Sequence, residues 1–289
     1  MSDKNIPMKL SIITVNLNHA AGLKQTVESI LSQTFRDYEL IIIDGGSTDG
    51  SLDVIHTHAD KITRWVSEPD TGIYNAMNKG LHLAQGEYVY FLNSGDQFCS
   101  PVVLETIFAG EKYTEELLYG DFMRVDAANC FQTDLQPDEL TVIRFFRRGL
   151  CHQTIFYKKE LFDNLGNYDE TFRIAADWDF TIRVLLAGHS TRHVPVKVVH
   201  YEGAGISETQ SNISSHEKSV IMKRWLPPAV HQDYIRMQSL EAECRRLKQF
   251  EVWIEHIRNR NLPMNIAMVT YWFFEKLICK VTRRKTVKA

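Results

Sequence analysis

The sequence predicts an α/β fold, a mostly parallel sheet covered by helices on both faces and followed by a helical C-terminal extension. Two observations predict it. Short, almost wholly apolar runs alternate with helical patterns through the first part of the chain. Strands buried on both faces read as such continuous runs, and their alternation with helices is the mark of a parallel sheet. From Asn212 onward the pattern is mostly helical, broken at Pro227-Pro228 and again at Pro263.

In order, Leu10 to Val15 is the first strand, and a helix follows with Leu23, Val27, Ile30 and Leu31 on one stripe. Glu39 to Ile43 is the second strand, Ser51 to Ala59 a short helix, and Ile62 to Val66 the third strand. Gly72 to Ala84 is helical with Ile73, Met77, Leu81 and Ala84 inward, and Tyr88 to Leu92 is the fourth strand. The middle is less regular. Leu117 to Val125 and Thr154 to Tyr157 read as strands and Thr191 to His200 as extended. Asp177 to Ala187 reads as a helix with Phe180, Val184 and Ala187 inward and Gly188 as its stop.

The 289 residues suit one large domain with an appendage. A formal charge of -3 lacks the basic footprint of a nucleic-acid partner. Cys99, Cys130, Cys151, Cys244 and Cys279 are scattered and form no C-x-x-C pair, which argues against a disulfide framework or zinc cluster and for a reducing, cytoplasmic setting. The first seven residues carry no signal-peptide core, and no run reaches the ~18 apolar residues of a membrane span.

In an open parallel sheet, ligands bind beyond the carboxyl ends of the strands. The loops there are polar: Asn16-Leu-Asn18 after the first strand, Asp44-Gly-Gly-Ser-Thr-Asp-Gly50 after the second, and Asn93-Ser-Gly-Asp96 after the fourth. Their convergence is the main functional signal. The glycines of the second loop permit close approach of a ligand to backbone, although the loop alone also reads as a plain strand-to-helix turn. Its spacing is not that of a dinucleotide fingerprint. Asp96 is a candidate ligand for a hard divalent cation, or else a helix cap. Asp177 and Asp179 open a helix, where acids also complement the dipole. Lone histidines such as His152 and His200 are more often structural, and Lys79 could meet phosphate or simply face solvent.

Ser11-Ile-Ile-Thr-Val-Asn-Leu-Asn18, Ser32-Gln-Thr-Phe35, Tyr38 through Gly50, Asn78-Lys-Gly80, Ala84-Gln-Gly-Glu87, Phe91 through Asp96 and Ala175-Ala-Asp-Trp-Asp179 follow one another in order. Together they resemble the nucleotide-sugar glycosyltransferases of family 2, in a bacterial exopolysaccharide or lipopolysaccharide type of branch. The resemblance implies a GT-A, Rossmann-like fold, with residues 8–100 as the nucleotide-sugar half and 101–210 as the acceptor half of a domain over 1–210. Residues 211–289 would form the extension. It implies donor contacts from Thr14, Asn16, Asn18, Asp44, Lys79, Asn93 and Ser94. It further implies Mg²⁺ or Mn²⁺ on Asp96 with His200, an acceptor contact from His152, and Asp177 as the base of an inverting transfer. The family's second acid before Gly-Ser, the first acid of its metal motif and the Glu of its Glu-Asp pair are replaced here. Gly45 and Ala176 stand at the first and third of these positions, and Asp96 alone remains of the metal motif, after Gly95.

The implied partners are a nucleotide-sugar donor and a glycan or lipid-linked acceptor of surface polysaccharide or glycan assembly. Position 221 of the processive Gln-x-x-Arg-Trp motif is Ile221 here, which favours single-sugar transfer. Residues 264–281 are amphipathic and end in a basic run. They would lie on the inner face of the cell membrane, or equally pack on their own domain or a second subunit. Two other classes stay open: a non-catalytic nucleotide-sugar-binding module, favoured by the lost acids, and a sugar-1-phosphate nucleotidyltransferase.

Overall fold

The first apolar run folds as β1 (Leu10–Asn16), around which the other elements are laid. A computed structural model describes residues 8–125, 131–201 and 210–259. After β1 come α1 (Ala20–Leu31), β2 (Tyr38–Asp44), α2 (Ser51–Thr57), β3 (Arg64–Ser67), α3 (Ile73–Leu83) and β4 (Tyr88–Phe91). The middle holds β5 (Gln97–Phe98), α4 (Val103–Phe108), β6 (Leu117–Val125), β7 (Phe131–Asp134), α5 (Val142–Arg148) and a 3₁₀ turn at His152–Thr154. Then follow β8 (Ile155–Lys158), α6 (Lys159–Leu165), α7 (Ala176–Leu186), β9 (Thr191–Tyr201), α8 (Ser211–Trp225) and α9 (Pro228–Asn259).

The strands form one sheet in the order β3-β2-β1-β4-β8-β6-β9-β5, with β7 paired to β6. β3, β2, β1 and β4 are parallel, and β8 joins antiparallel to β4 and β6. β6 and β9 are parallel again, with β5 antiparallel on β9. The chain leaves β1 toward β2 and β3, then returns to the other side of β1 as β4. That reversal is the switch point of the sheet, and the loops beyond Asn16, Asp44 and Phe91 meet there.

Alternation along the strands divides the apolar side chains between two layers. Ile13, Val15, Ile41, Ile43, Val89 and Phe91 face α3, α6, α7 and α8 through Met77, Leu81, Phe162, Phe180 and Ile221. Leu10, Ile12, Leu40, Ile42, Tyr88 and Tyr90 face α1 and α4 through Leu23, Val27, Ile30, Leu104 and Ile107. Burial on both faces explains why these strands were readable as apolar runs. Ala187 is exposed, because α7 ends at Leu186 and the chain turns away through Gly188, whose φ is +79°.

The N-terminus of α7 has no side-chain cap of its own. Glu217 of α8 instead anchors the segment that leads into it: its carboxylate accepts the N–H groups of Arg173, Ile174 and the N-cap residue Ala175 at 2.8, 2.9 and 2.9 Å. Trp225 of α8 donates its indole N–H to Asp179 Oδ1 at 2.7 Å. The chain divides into two units between Trp225 and Leu226, so α8 belongs to the first and α9 to the second. No described helix is long and apolar enough to cross a membrane, and residues 264–281 lie outside the described residues.

Gly86, before β4, sits against the β1 backbone. A β-carbon there would lie 2.5 Å from Ser11 N and 2.7 Å from Leu10 C, neither of which can yield as a side chain does. Gly86→Ala is expected to cost about 1–3 kcal/mol by overpacking. Urea denaturation should show a lower midpoint at unchanged slope; an unchanged midpoint would mean that the two strands are not held at this separation.

Candidate active site

Asn16, at the tip of β1 and 5% exposed, ties three strand ends together. Its amide nitrogen donates to Asp44 Oδ1 at 2.8 Å and lies 3.2 Å from Ser47 Oγ, while its oxygen accepts from Ser94 Oγ at 2.8 Å. Asp44, at the tip of β2, is fully buried. Besides Asn16 it accepts from Ser47 Oγ at 2.5 Å, Ser47 N at 2.9 Å and Ser67 Oγ at 2.7 Å. Burial works against its ionisation, but the hydrogen bonds from Ser47, Ser67 and Asn16 outweigh it and hold the carboxyl below its ordinary value. A carboxylate so enclosed shapes the loop. Asn18, in a left-handed conformation at φ 49°, accepts Thr48 N–H at 2.8 Å and fixes the same loop from the other side.

Thr14, two residues back in β1, is fully buried, and its hydroxyl has no hydrogen-bond partner among the described residues. Lys79 is engaged by the loop just beyond the tip of β3. Its ammonium group meets Glu68 at 2.8 Å and the Pro69 carbonyl at 3.1 Å, clamping the loop between β3 and α3.

The fourth-strand loop is held from below by Thr26 of α1. Its hydroxyl accepts Gly95 N–H at 2.9 Å and donates to the Asp96 carbonyl at 2.8 Å. Asp96 is half-buried, and its Oδ2 lies 3.4 Å from the Gln153 amide nitrogen. Asn93 stands 3.4 Å from His152 Nε2, and its Oδ1 is buried with no hydrogen-bond partner among the described residues. His200 pairs in register with Gln97, directly after Asp96. The imidazole of His19 covers Gly22 and reaches Gly95, where a β-carbon would lie 3.1 Å from its Cε1.

Asp177 is half-buried in the first turn of α7. Tyr74 of α3 places its hydroxyl 2.8 Å from Asp177 Oδ1 and 2.6 Å from the Ile174 carbonyl, so one phenolic proton serves two acceptors. Burial, and then the Asp177 carboxylate, push the Tyr74 phenol far up, which keeps it a donor. Burial lowers the pKa of His152, against an upward pull from Asp177, so the imidazole is neutral near pH 7. Asp179 is 1% exposed and has both oxygens engaged, one by Arg183 Nε at 3.0 Å and one by Trp225.

Of the residues the sequence singled out, the structure brings Asn16, Asp44 and Ser94 into contact at the strand tips, sets Asp96 against Gln153 and Asp177 against Tyr74, and leaves Lys79 on the loop after β3. Sequence reading missed Tyr74, Gln153, Ser67 and Glu217, whose contacts join segments far apart in the chain. The loop after β3 carried a signal that went unused. Glu68-Pro-Asp-Thr-Gly72 is polar, ends in glycine and follows a parallel strand like the other three.

Because the Asp44 pKa is lowered in the fold, the unfolded chain binds more protons in acid. Asp44 therefore contributes stability that is present above its ordinary value of 3.8 and lost as pH falls through and below it. Asp44→Asn is expected to lower the melting temperature at pH 6, with the gap to the unaltered protein narrowing toward pH 3. A gap independent of pH would show that the charge of Asp44 is not what the knot holds.

Known proteins place this geometry. The model of glycosyl transferase family 2 matches residues 11–148. A PGL/p-HBAD biosynthesis glycosyltransferase of Mycobacterium bovis is 38% identical over 206 residues, covering 69% of this chain and 79% of that protein. Among solved structures, Staphylococcus aureus TarS superposes with a TM-score of 0.62 at 20% identity, covering 79% of this chain and 42% of that one. Its 1–349 fragment, solved with UDP-GlcNAc, gives 0.63 at 20% identity over 74% of this chain and 64% of that one. The mannosyltransferase PcManGT of Pyrobaculum calidifontis, solved with GDP-Man and Mn²⁺, gives 0.55 at 17% identity over 75% and 63%. The architecture is that of the GT-A glycosyltransferases, and the chain belongs to glycosyl transferase family 2.

Proposed function

We propose that this glycosyltransferase moves one sugar from a nucleotide-sugar donor to an acceptor hydroxyl and inverts the anomeric carbon, with Asp177 as general base. The observation that carries the reading is a single 3₁₀ turn. Gln153 reaches Asp96, while the preceding His152 touches Asn93 and feels the Asp177 carboxylate. The strand-tip loop and the α7 carboxylate therefore flank the same few residues. An acid on the donor side and a base on the acceptor side are what a single displacement needs.

The donor would lie over the strand tips, with Asn16, Asn18, Asn93 and Ser94 lining its path. Thr14 and Asp44 would support it by fixing the β1 and β2 ends, and Lys79 by fixing the neighbouring loop. His152, neutral and beside Asp177, would meet the acceptor.

A divalent cation fits this donor set in one way. Among the described residues no three His, Cys, Asp or Glu side chains converge as a cage. Mg²⁺ commonly takes only one or two carboxylates and completes its shell with phosphate oxygens and water. Asp96, with His200 paired in register to the next residue, Gln97, would hold such an ion against the diphosphate. When bound, it would act as a Lewis acid on the leaving diphosphate.

The similarity to a PGL/p-HBAD biosynthesis glycosyltransferase supports glycan assembly as the setting, and a lipid-linked or surface glycan is the acceptor class that completes the proposal. A cytoplasmic site of action with residues 264–289 against the membrane belongs to the same proposal.

Asp177→Asn keeps an acceptor for the Tyr74 hydroxyl while removing the base. Turnover, read as nucleoside diphosphate release from UDP- and GDP-sugars with Mn²⁺, is expected to fall by about 10²–10⁴-fold. Donor affinity by calorimetry should stay within a factor of about three. Near-normal turnover would remove Asp177 from the mechanism.

A further inference from the structure

Gly45 follows the buried Asp44, and its N–H donates to the Asn16 carbonyl at 2.9 Å, so its position is fixed to the strand-tip knot. A β-carbon on Gly45 would lie 2.5 Å from Asp70 Oδ2 and 3.2 Å from Leu17 Cδ1. The space that a side chain at 45 would enter is therefore taken by a carboxylate from another loop.

That carboxylate is held in place. Asp70 Oδ1 accepts Gly72 N–H at 3.1 Å. The loop behind it is clamped by Lys79 on Glu68 and on the Pro69 carbonyl, and it packs on the β2 loop, where a β-carbon on Gly46 would stand 3.4 Å from Pro69 N. Oδ2 has no hydrogen-bond partner among the described residues, and Asp70 is partly open to solvent. Leu17 beside it is 57% exposed, an apolar surface next to a lone acceptor.

Building on the donor reading above, we propose that Asp70 selects the nucleobase of the donor, in place of an acid at position 45. A carboxylate is an acceptor only. It pairs with a base that offers an imino N–H, which uracil, thymine and guanine do. At that ring position cytosine and adenine offer a bare nitrogen that leaves the carboxylate unpaired or repelled. Their exocyclic amine donates from the neighbouring position, to which Asp70, held by Gly72 N–H, would have to shift. Rejection of a base that leaves a site's polar group unpaired is the stronger form of discrimination. Leu17 would lie along the ring.

The test is a calorimetric titration of the full chain with UDP, GDP, CDP and ADP. The unaltered protein is expected to bind UDP or GDP at least tenfold more tightly than CDP and ADP. Which of the two it prefers distinguishes a pyrimidine from a purine donor.

In Asp70→Asn the amide oxygen stays on Gly72 N–H, so an NH₂ donor faces Gly45. Affinity for the preferred nucleotide should drop at least tenfold, and the ratio of UDP or GDP to CDP should fall or invert. Gly45→Asp alone sets two carboxylates in one space and should also lose binding. The exchange Gly45→Asp/Asp70→Gly should recover the original preference.

If Asp70→Asn leaves the nucleotide ratios unchanged while the melting temperature shows a folded chain, the proposal is overturned and the donor reading stands. If the unaltered protein binds none of the four nucleotides, both fall together.

Discussion

The site depends on one side chain, the amide of Asn16. It gives its N–H to the acid at the end of β2 and takes the hydroxyl proton of Ser94 beyond β4. Parallel strands fix the spacing of their tips but not the paths of the loops that leave them. The amide fixes those paths, because its donor and acceptor ends face opposite neighbours and cannot be exchanged without leaving two buried groups unpaired, at about 1–3 kcal/mol each. Asp44 sets the same condition more strictly. A buried carboxylate persists only with its lone pairs filled, and here Asn16, Ser47 and Ser67 fill them. Three loops are thus committed to one arrangement before any ligand arrives.

A second constraint sets the opposite wall. Asp177 is positioned by its helix, and the segment that leads into the helix is anchored by a residue some forty positions downstream. Glu217 accepts three N–H groups of that segment, up to the N-cap residue. Tyr74 then orients one carboxylate oxygen from α3, an element packed directly on β1. The α7 wall is in this way referred back to the same central strand as the strand-tip loops. That shared reference is why one short 3₁₀ turn can touch the strand-tip loop and still lie within electrostatic reach of the α7 carboxylate.

How much of this was legible follows from where each signal lives. β1, β2 and β4 are buried on both faces, so composition alone reveals them. Asn16 and Asp44 end such strands and Ser94 and Asp96 lie in the loop after one, so their positions, though not their roles, were readable. β5, β7, α4, α5 and α6 are two to seven residues long. Segments of that length do not complete enough turns or alternations to show a period. Tyr74, Gln153 and Glu217 act across 103, 57 and 42 to 44 residues, and nothing local distinguishes them. Thr14 was named by the resemblance alone, since nothing in an apolar run marks it, and it is fully buried in β1.

Missing acids look in a sequence like lost function, and this weighed toward a binding module without catalysis. In space, two of those positions are covered. The carboxylate of Asp70 fills the space beside Gly45, and the imidazole of His19 stands over Gly95. A glycine removes a side chain, but it also admits one from elsewhere. Drift toward inactivity would leave such spaces empty or filled by apolar neighbours, since an uncompensated polar group at a half-buried position costs stability and returns nothing. Here both incoming groups are ionisable, Asp70 half-buried and His19 exposed. Each comes from a loop that the fold already brings to the strand tips. Chemistry of this kind is set by the place a group occupies, whichever loop supplies it, so the carboxylate count along one motif is a poor measure of activity.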